Sequence, residues 1–315
     1  MKEYLLKKYA DFTVNTEDLK INIFPLDLLD AFTPGAFTQI VGESTSGKTT
    51  IALQIALSYC SLGKTVLYID ADNSVTNNKL KTIGLSSYDG TYFNLFKINN
   101  FESLEEVIDG FIEESVSLVI IDSLPNLINS GYLNLKHKGA KKGISITNNN
   151  SNYDSRPLNL LFKKYKALAN QTKTTFLIIN SFRTKIVMPI GTVLKRYGPK
   201  CTDQDCTTIL EICNIPAKHK YVDFKAMCSK LPGVCLGLKV IKSINSATEI
   251  IIPAFLEYGK GIVNECYIAY YLMKKKDSIS PLTVAEFNNI KGKNVAIPFE
   301  ELSTFYRKDG KNETN

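Results

Sequence analysis

The chain has 315 residues, 44% hydrophobic and 22% charged, a composition that belongs to folded globular protein and excludes a disordered or low-complexity chain. The first 12 residues are broken by Lys2, Glu3, Lys7, Lys8 and Asp11 and lack the apolar core of an export signal, and no apolar run approaches the ~20 residues of a membrane helix. The net charge of +7 is uneven: 14 basic residues and a single acid, Asp154, lie between Gly131 and Lys200, which leaves the remainder net negative and points to a polyanion-binding surface.

In chain order, a short β-favouring run over 37–41 leads into Gly42-Glu43-Ser44-Thr45-Ser46-Gly47-Lys48-Thr49, and an Ala- and Leu-rich helix over 50–60 leaves it, ended by Gly63. Two glycines five apart followed by Lys-Thr allow backbone N–H groups to wrap phosphate oxygens. Lys48 then neutralises the outer phosphates and the Thr49 hydroxyl completes a magnesium shell. A second strand over 65–69 carries Asp70 and Asp72 at its carboxyl end. Hydrolysis needs a carboxylate to orient water; Asp72 is the candidate, Asp70 the reserve, and a plain capping role the alternative for Asp72. Ser103 with Glu106 reads as a capping box before the helical face Leu104, Val107, Ile108, Phe111 and Ile112.

The continuous apolar run 118–121 suits a strand covered on both sides and ends in Asp122, the expected second magnesium anchor through water, with a helix cap as its plainer role. A helix over 157–172 and a buried strand over 175–180 follow. Such alternation predicts an α/β fold with a mostly parallel sheet and ligands at the carboxyl ends of its strands. Two stretches read as irregular: 126–156, with Lys136, Lys138, Lys141 and Lys142, and 181–200, with Arg183, Lys185, Lys195 and Arg196 and broken by Pro189, Gly191 and Gly198. Late strands over 236–242 and 250–256 precede a helical patch over 264–275 and a polar tail. Seven cysteines without an export signal read as reduced thiols in a cytoplasm. Five of them crowd 201–235 without a Cys-x-x-Cys pair, so a structural zinc site stands as the alternative to buried thiols.

The ordered set Gly42 to Thr50 with Ile51-Ala-Leu, Tyr68-Ile-Asp-Ala-Asp72, Leu118-Val-Ile-Ile-Asp122-Ser123 and Leu177-Ile-Ile-Asn180-Ser-Phe-Arg183-Thr-Lys185-Ile186 resembles the signature of RecA-type recombinases. Leu238 to Lys242 and Leu256 to Ile262 resemble that family's final core strands, so the likeness runs from about Ile23 to Ile262. It implies a RecA-like P-loop NTPase core over 23–262, an N-terminal assembly segment over 1–22 with Leu5, Leu6, Tyr9 and Phe12 as its apolar stripe, and a small C-terminal region over 263–315. It further implies ATP and Mg2+ as ligands, a helical filament of many copies, and single-stranded DNA paired with a homologous duplex. The short carboxyl end and Lys- and Asn-rich character resemble a phage-encoded relative.

Under the resemblance Lys48, Thr49 and Asp122 keep the family roles, residues 42–50 form the nucleotide loop, and Lys242 reaches the phosphate bound by the neighbouring copy. Three positions depart: Asp72 stands for the catalytic glutamate, Ser181 for the phosphate-sensing glutamine, and Ile244 for a second lysine across the interface. The two basic stretches fall on the family's DNA-binding loops, and Tyr132, Tyr153, Phe182 and Tyr197 are placed among them to stack on bases. Two other functions remain open at this point, a ring helicase or clock-type ATPase and a filament protein that holds ATP but barely hydrolyses it.

Overall fold

A computed structural model describes residues 20–128, 152–187, 191–244, 246, 248–276 and 279–291. Its strands are β1 (Phe37–Gly42), β2 (Val66–Asp70), β3 (Phe93–Phe96), β4 (Leu118–Asp122), β5 (Thr175–Asn180), β6 (Phe182–Val187), β7 (Gly191–Arg196), β8 (Thr208–Cys213), β9 (Gly233–Lys242), β10 (Ile251–Glu257) and β11 (Gly261–Ile262). Nine of them form one sheet in the order β11-β10-β9-β8-β1-β5-β4-β2-β3, and β6 with β7 makes a separate two-stranded ribbon. From β8 to β3 every pairing is parallel. At the other edge β9, β10 and β11 add antiparallel strands.

The central strands are continuous apolar runs because both faces are covered. Successive residues go to opposite sides: Val66, Tyr68, Leu118, Ile120, Leu177 and Ile179 enter one core, while Leu67, Ile69, Val119, Ile121, Phe176 and Ile178 enter the other. The helices are α1 (Phe24–Leu28), α2 (Lys48–Ser61), α3 (Asn77–Ile83), α4 (Phe101–Glu113), α5 (Asn152–Thr172), α6 (Lys200–Gln204), α7 (Val222–Met227), α8 (Glu265–Lys275) and α9 (Val284–Lys291). On the first face α2 buries Ile51, Ile55 and Tyr59, with α7 and α8 beside it through Phe224, Tyr267 and Tyr270. On the second, α4 and α5 bury Leu104, Ile108, Phe162 and Tyr165. Leu282 N donates to Met227 O at 2.8 Å, so the chain beyond residue 262 packs directly on this core.

Three expectations change. Asn100, not Ser103, caps α4: its backbone is extended (φ −121°, ψ 150°) and its side chain accepts from Ser103 N, which places Ser103 in the first turn. Helix α5 begins at Asn152, five residues before Pro157, so the proline lies inside the helix rather than at its start. Within the stretch 181–200, Phe182–Val187 and Gly191–Arg196 are not irregular but form the antiparallel ribbon, registered from Phe182 opposite Arg196 to Val187 opposite Gly191.

Candidate functional site

The loop after β1 is shaped by Gly47, which has φ +94° and caps α2; a Cβ there would stand 2.5 Å from Leu256 Cδ2. Only glycine meets both demands. The N-terminus of α2 thus points into the loop with its unpaired N–H groups and positive dipole end, the arrangement that holds a phosphate. Ser46 Oγ is buried there without a hydrogen-bond partner, a donor still to be satisfied. Lys48 Nζ donates to the carbonyl oxygens of Gly42 (3.0 Å) and Glu43 (2.5 Å). Burial lowers its pKa, opposed by the charges of Asp122, Asp72 and Glu43.

Even-numbered residues of β2 and β4 face α2, so the same alternation that builds the core brings Tyr68, Asp70 and Asp122 to the phosphate loop. Asp122 is 1% exposed and accepts from Tyr68 Oη at 2.7 Å and from the Thr49 hydroxyl. Burial raises its pKa to about 6 despite these two donors, with Asp72 and Asp70 adding repulsion. Asp70 accepts from Ser74 N and Val75 N, each at 3.0 Å, and so shapes the turn after β2. Asp72 is exposed at the mouth of the site. Three carboxylates around one lysine leave a negative excess that a divalent cation complements. Among the described residues no group of three or more His, Cys, Asp or Glu is arranged to hold a metal alone. The Thr49 hydroxyl and the Asp122 carboxylate, hydrogen-bonded to each other, are oxygen groups of the kind that suits magnesium, which binds through few protein ligands and takes the rest of its shell from phosphate and water.

Strand β5 lies beside β1, with Asn180 opposite Val41 at the entrance to the loop. Asn180 is fully buried; its Nδ2 donates to Tyr197 O at 2.9 Å and to Gln39 Oε1 at 3.4 Å, and its Oδ1 accepts from Ser181 N at 2.8 Å. Tyr197 N donates to Ser181 O at 2.9 Å. The base of the ribbon is thus bonded to the strand that borders the phosphate loop. Sequence reasoning missed Gln39 and Tyr68, whose only signal is a hydrogen-bonding side chain inside a fully buried strand.

The family model for the RecA N-terminal domain matches residues 17–225. The chain belongs to the RecA family. It is 28% identical to RecA of Mycoplasma mobile over 58% of this chain and 56% of that protein. With RecA of Phytoplasma mali it shares 23% identity over 83% of this chain and 73% of the relative, and with RecA of Latilactobacillus sakei 27% over 72% and 59%. The matched region thus spans little more than half the length of the first of these relatives. A crystal structure of the RadB recombinase superposes with a TM-score of 0.49 at 21% identity, covering 78% of this chain and 98% of that one.

Within this RecA-family fold the basic residues expected to meet DNA are not equivalent. Arg183 and Lys195 are register partners on one face of the ribbon, and both are exposed. Arg196 lies opposite Phe182 on the other face and is clamped by Asp203, Nε to Oδ1 at 3.1 Å and Nη2 to Oδ2 at 2.8 Å. Its guanidinium is thus paired within the chain, unlike that of Arg183. Tyr197 is 6% exposed and its ring lies 4.0 Å from the Arg183 guanidinium carbon, so it supports the arginine rather than presenting a face to a base. Lys185 is in β6, opposite Val193. On α5, Lys164 is paired with Glu105 and Asp109, each at 2.6 Å, and Lys166 with Asp205 at 2.9 Å. Lys136, Lys138, Lys141, Lys142 and Tyr132 lie outside the described residues.

Lys242 pairs in register with Ile209 near the start of β8, whereas Gly42 pairs with Ile212 near its end. Lys242 Nζ donates to Asp203 O at 3.0 Å and Gln204 O at 2.8 Å, away from the chain's own phosphate loop. Ile244 is 69% exposed. Cys228 is hydrogen-bonded to Cys235 and Cys266, and those thiols together with burial push its pKa up. Among the described residues no helix is long and apolar enough to cross a membrane.

Proposed function

We propose that this chain is an ATP-dependent DNA recombinase whose copies assemble as a helical filament on single-stranded DNA and exchange it with a homologous duplex. The observation that carries this reading is the convergence of Lys48, Thr49, Asp122 and Asp72 at the carboxyl ends of β1, β2 and β4, beside a β5 that runs directly into the basic ribbon. Residues 42–50 wrap the phosphates, Lys48 supplies positive charge to the outer ones, and Asp72 orients the attacking water. Thr49 and Asp122 hold Mg2+, which when bound neutralises charge on the transferred phosphoryl group. Arg183, Lys185 and Lys195, with Lys136, Lys138, Lys141 and Lys142, contact DNA phosphates. Lys242 serves the neighbouring copy.

The core is assigned to 23–262, with 1–22 as assembly segment and 263–315 as C-terminal region. The joint test measures ATP turnover and homologous strand pairing in wild type and Lys48→Ala. The variant loses both, turnover by roughly 100-fold or more, and wild-type turnover rises with single-stranded DNA. Strand pairing that persists in Lys48→Ala overturns the reading. The exposure of Asp72 and its side chain, one methylene shorter than glutamate, favour a second reading, a filament that binds ATP and hydrolyses it slowly. Turnover indifferent to DNA, with DNA binding still dependent on ATP, selects that alternative.

A further inference from the structure

Tyr68 has no part in the nucleotide chemistry assigned above, yet it makes a direct contact with the site. It is 0% exposed, and its hydroxyl donates to Asp122 Oδ2 at 2.7 Å, the usual distance of an O–H···O hydrogen bond. Tyr68 stands opposite Ile120 in the β2–β4 register, two residues from Asp122 on the same face, so its side chain reaches diagonally across the two strands. The ring packs on Phe93 with centroids 6.0 Å apart, which fixes where the hydroxyl can go. Asp122 is thereby gripped from two elements, by Tyr68 on the adjacent strand and by Thr49 at the start of α2. Burial above all, and then the charges of Asp72 and Asp70, oppose its ionisation, and the two hydroxyls favour it.

We propose that Tyr68 is a positioning residue for the divalent cation: its hydroxyl holds the Asp122 carboxylate against Thr49, and so sets affinity for magnesium rather than for nucleotide. This rests on the magnesium–nucleotide reading of the site. A buried hydroxyl bonded to a carboxylate that would hold the metal fixes its orientation, and loss of such a partner costs about 10-fold or more in metal affinity.

The test uses the full chain and a fluorescent N-methylanthraniloyl ADP, titrated at a series of MgCl2 concentrations and again in EDTA. Tyr68→Phe, which keeps the ring against Phe93, raises the magnesium concentration for half-maximal binding about 10-fold and leaves affinity in EDTA within about twofold. In an Asp122→Asn background the same substitution produces no further shift, since the carboxylate it orients is gone. Tyr68→Met gives the same readout if the phenylalanine variant fails to fold. An unchanged magnesium requirement together with a lower melting temperature overturns the proposal and leaves the hydroxyl a purely structural group. Nucleotide binding by wild type that ignores magnesium altogether overturns the underlying reading of the site, an outcome distinct from failure of Tyr68 alone.

Discussion

At the scale of single residues, neighbouring carboxylates divide into different tasks by what they touch. Asp70 has backbone N–H partners on both oxygens, whereas Asp72, two residues later, is exposed beside Lys48. Asp72→Asn is expected to lower turnover about 100-fold while leaving ATP affinity within about twofold, as measured by phosphate release and nucleotide titration. A comparable loss of affinity would make Asp72 a binding group instead. Asp27 illustrates the cost of burying a carboxylate away from any site: its Oδ1 accepts from Ile21 N at 2.8 Å, yet burial raises its pKa to about 6. Because the folded form keeps its proton up to that pH while the unfolded chain releases it near 3.8, stability attributable to this group falls as pH rises through the interval. The melting temperature of Asp27→Asn minus that of wild type should therefore increase from pH 5 to pH 8, by about 3 °C for a penalty of about 1.4 kcal/mol. A difference independent of pH would remove the assignment.

At the scale of elements, what sequence could show depended on whether pattern or partner decides the structure. Strands β2, β4 and β5 were legible because burial on both faces demands uninterrupted apolar residues, and the phosphate loop because its backbone needs glycine at fixed places. The capping of α4 was misplaced by three residues because Asn100 and Ser103 are both good caps and only the backbone distinguishes them. The ribbon was invisible for a different reason. Pro189 and Gly191 read as breakers, while a hairpin tied down by Asn180 and by the Arg196–Asp203 pair draws its stability from tertiary contacts that no local pattern records. That anchoring separates two arginines that look alike in sequence. Arg183→Ala is expected to weaken binding of a single-stranded oligonucleotide and to reduce the slope of log affinity against log salt by about 0.7, the loss of one phosphate contact. Arg196→Ala should leave that slope unchanged and make the ribbon more susceptible to limited proteolysis. The opposite pattern would mean that Asp203 releases Arg196 when DNA arrives.

At the scale of the whole molecule, the position of Lys242 bears on whether one copy suffices for hydrolysis. It is in register with Ile209 near the start of β8 while the phosphate loop adjoins Ile212, a separation of three residues or about 10 Å along the strand, and its ammonium is held by the carbonyls of Asp203 and Gln204. A lysine so placed lies away from its own Lys48 site, and the proposed head-to-tail filament would have to bring it to the loop of the next copy. Lys242→Ala should then bind nucleotide as wild type does when dilute, yet fail to hydrolyse it on DNA. Mixing it with Lys48→Ala provides the decisive measurement. Each inactive chain keeps the half that the other lacks, so randomly assembled mixtures place an intact loop beside an intact lysine at about a quarter of their heterologous interfaces. Turnover should return to about that fraction of wild type. A mixture as inactive as its parts would show that Lys242 acts within its own chain, or only as a clamp on the end of α6.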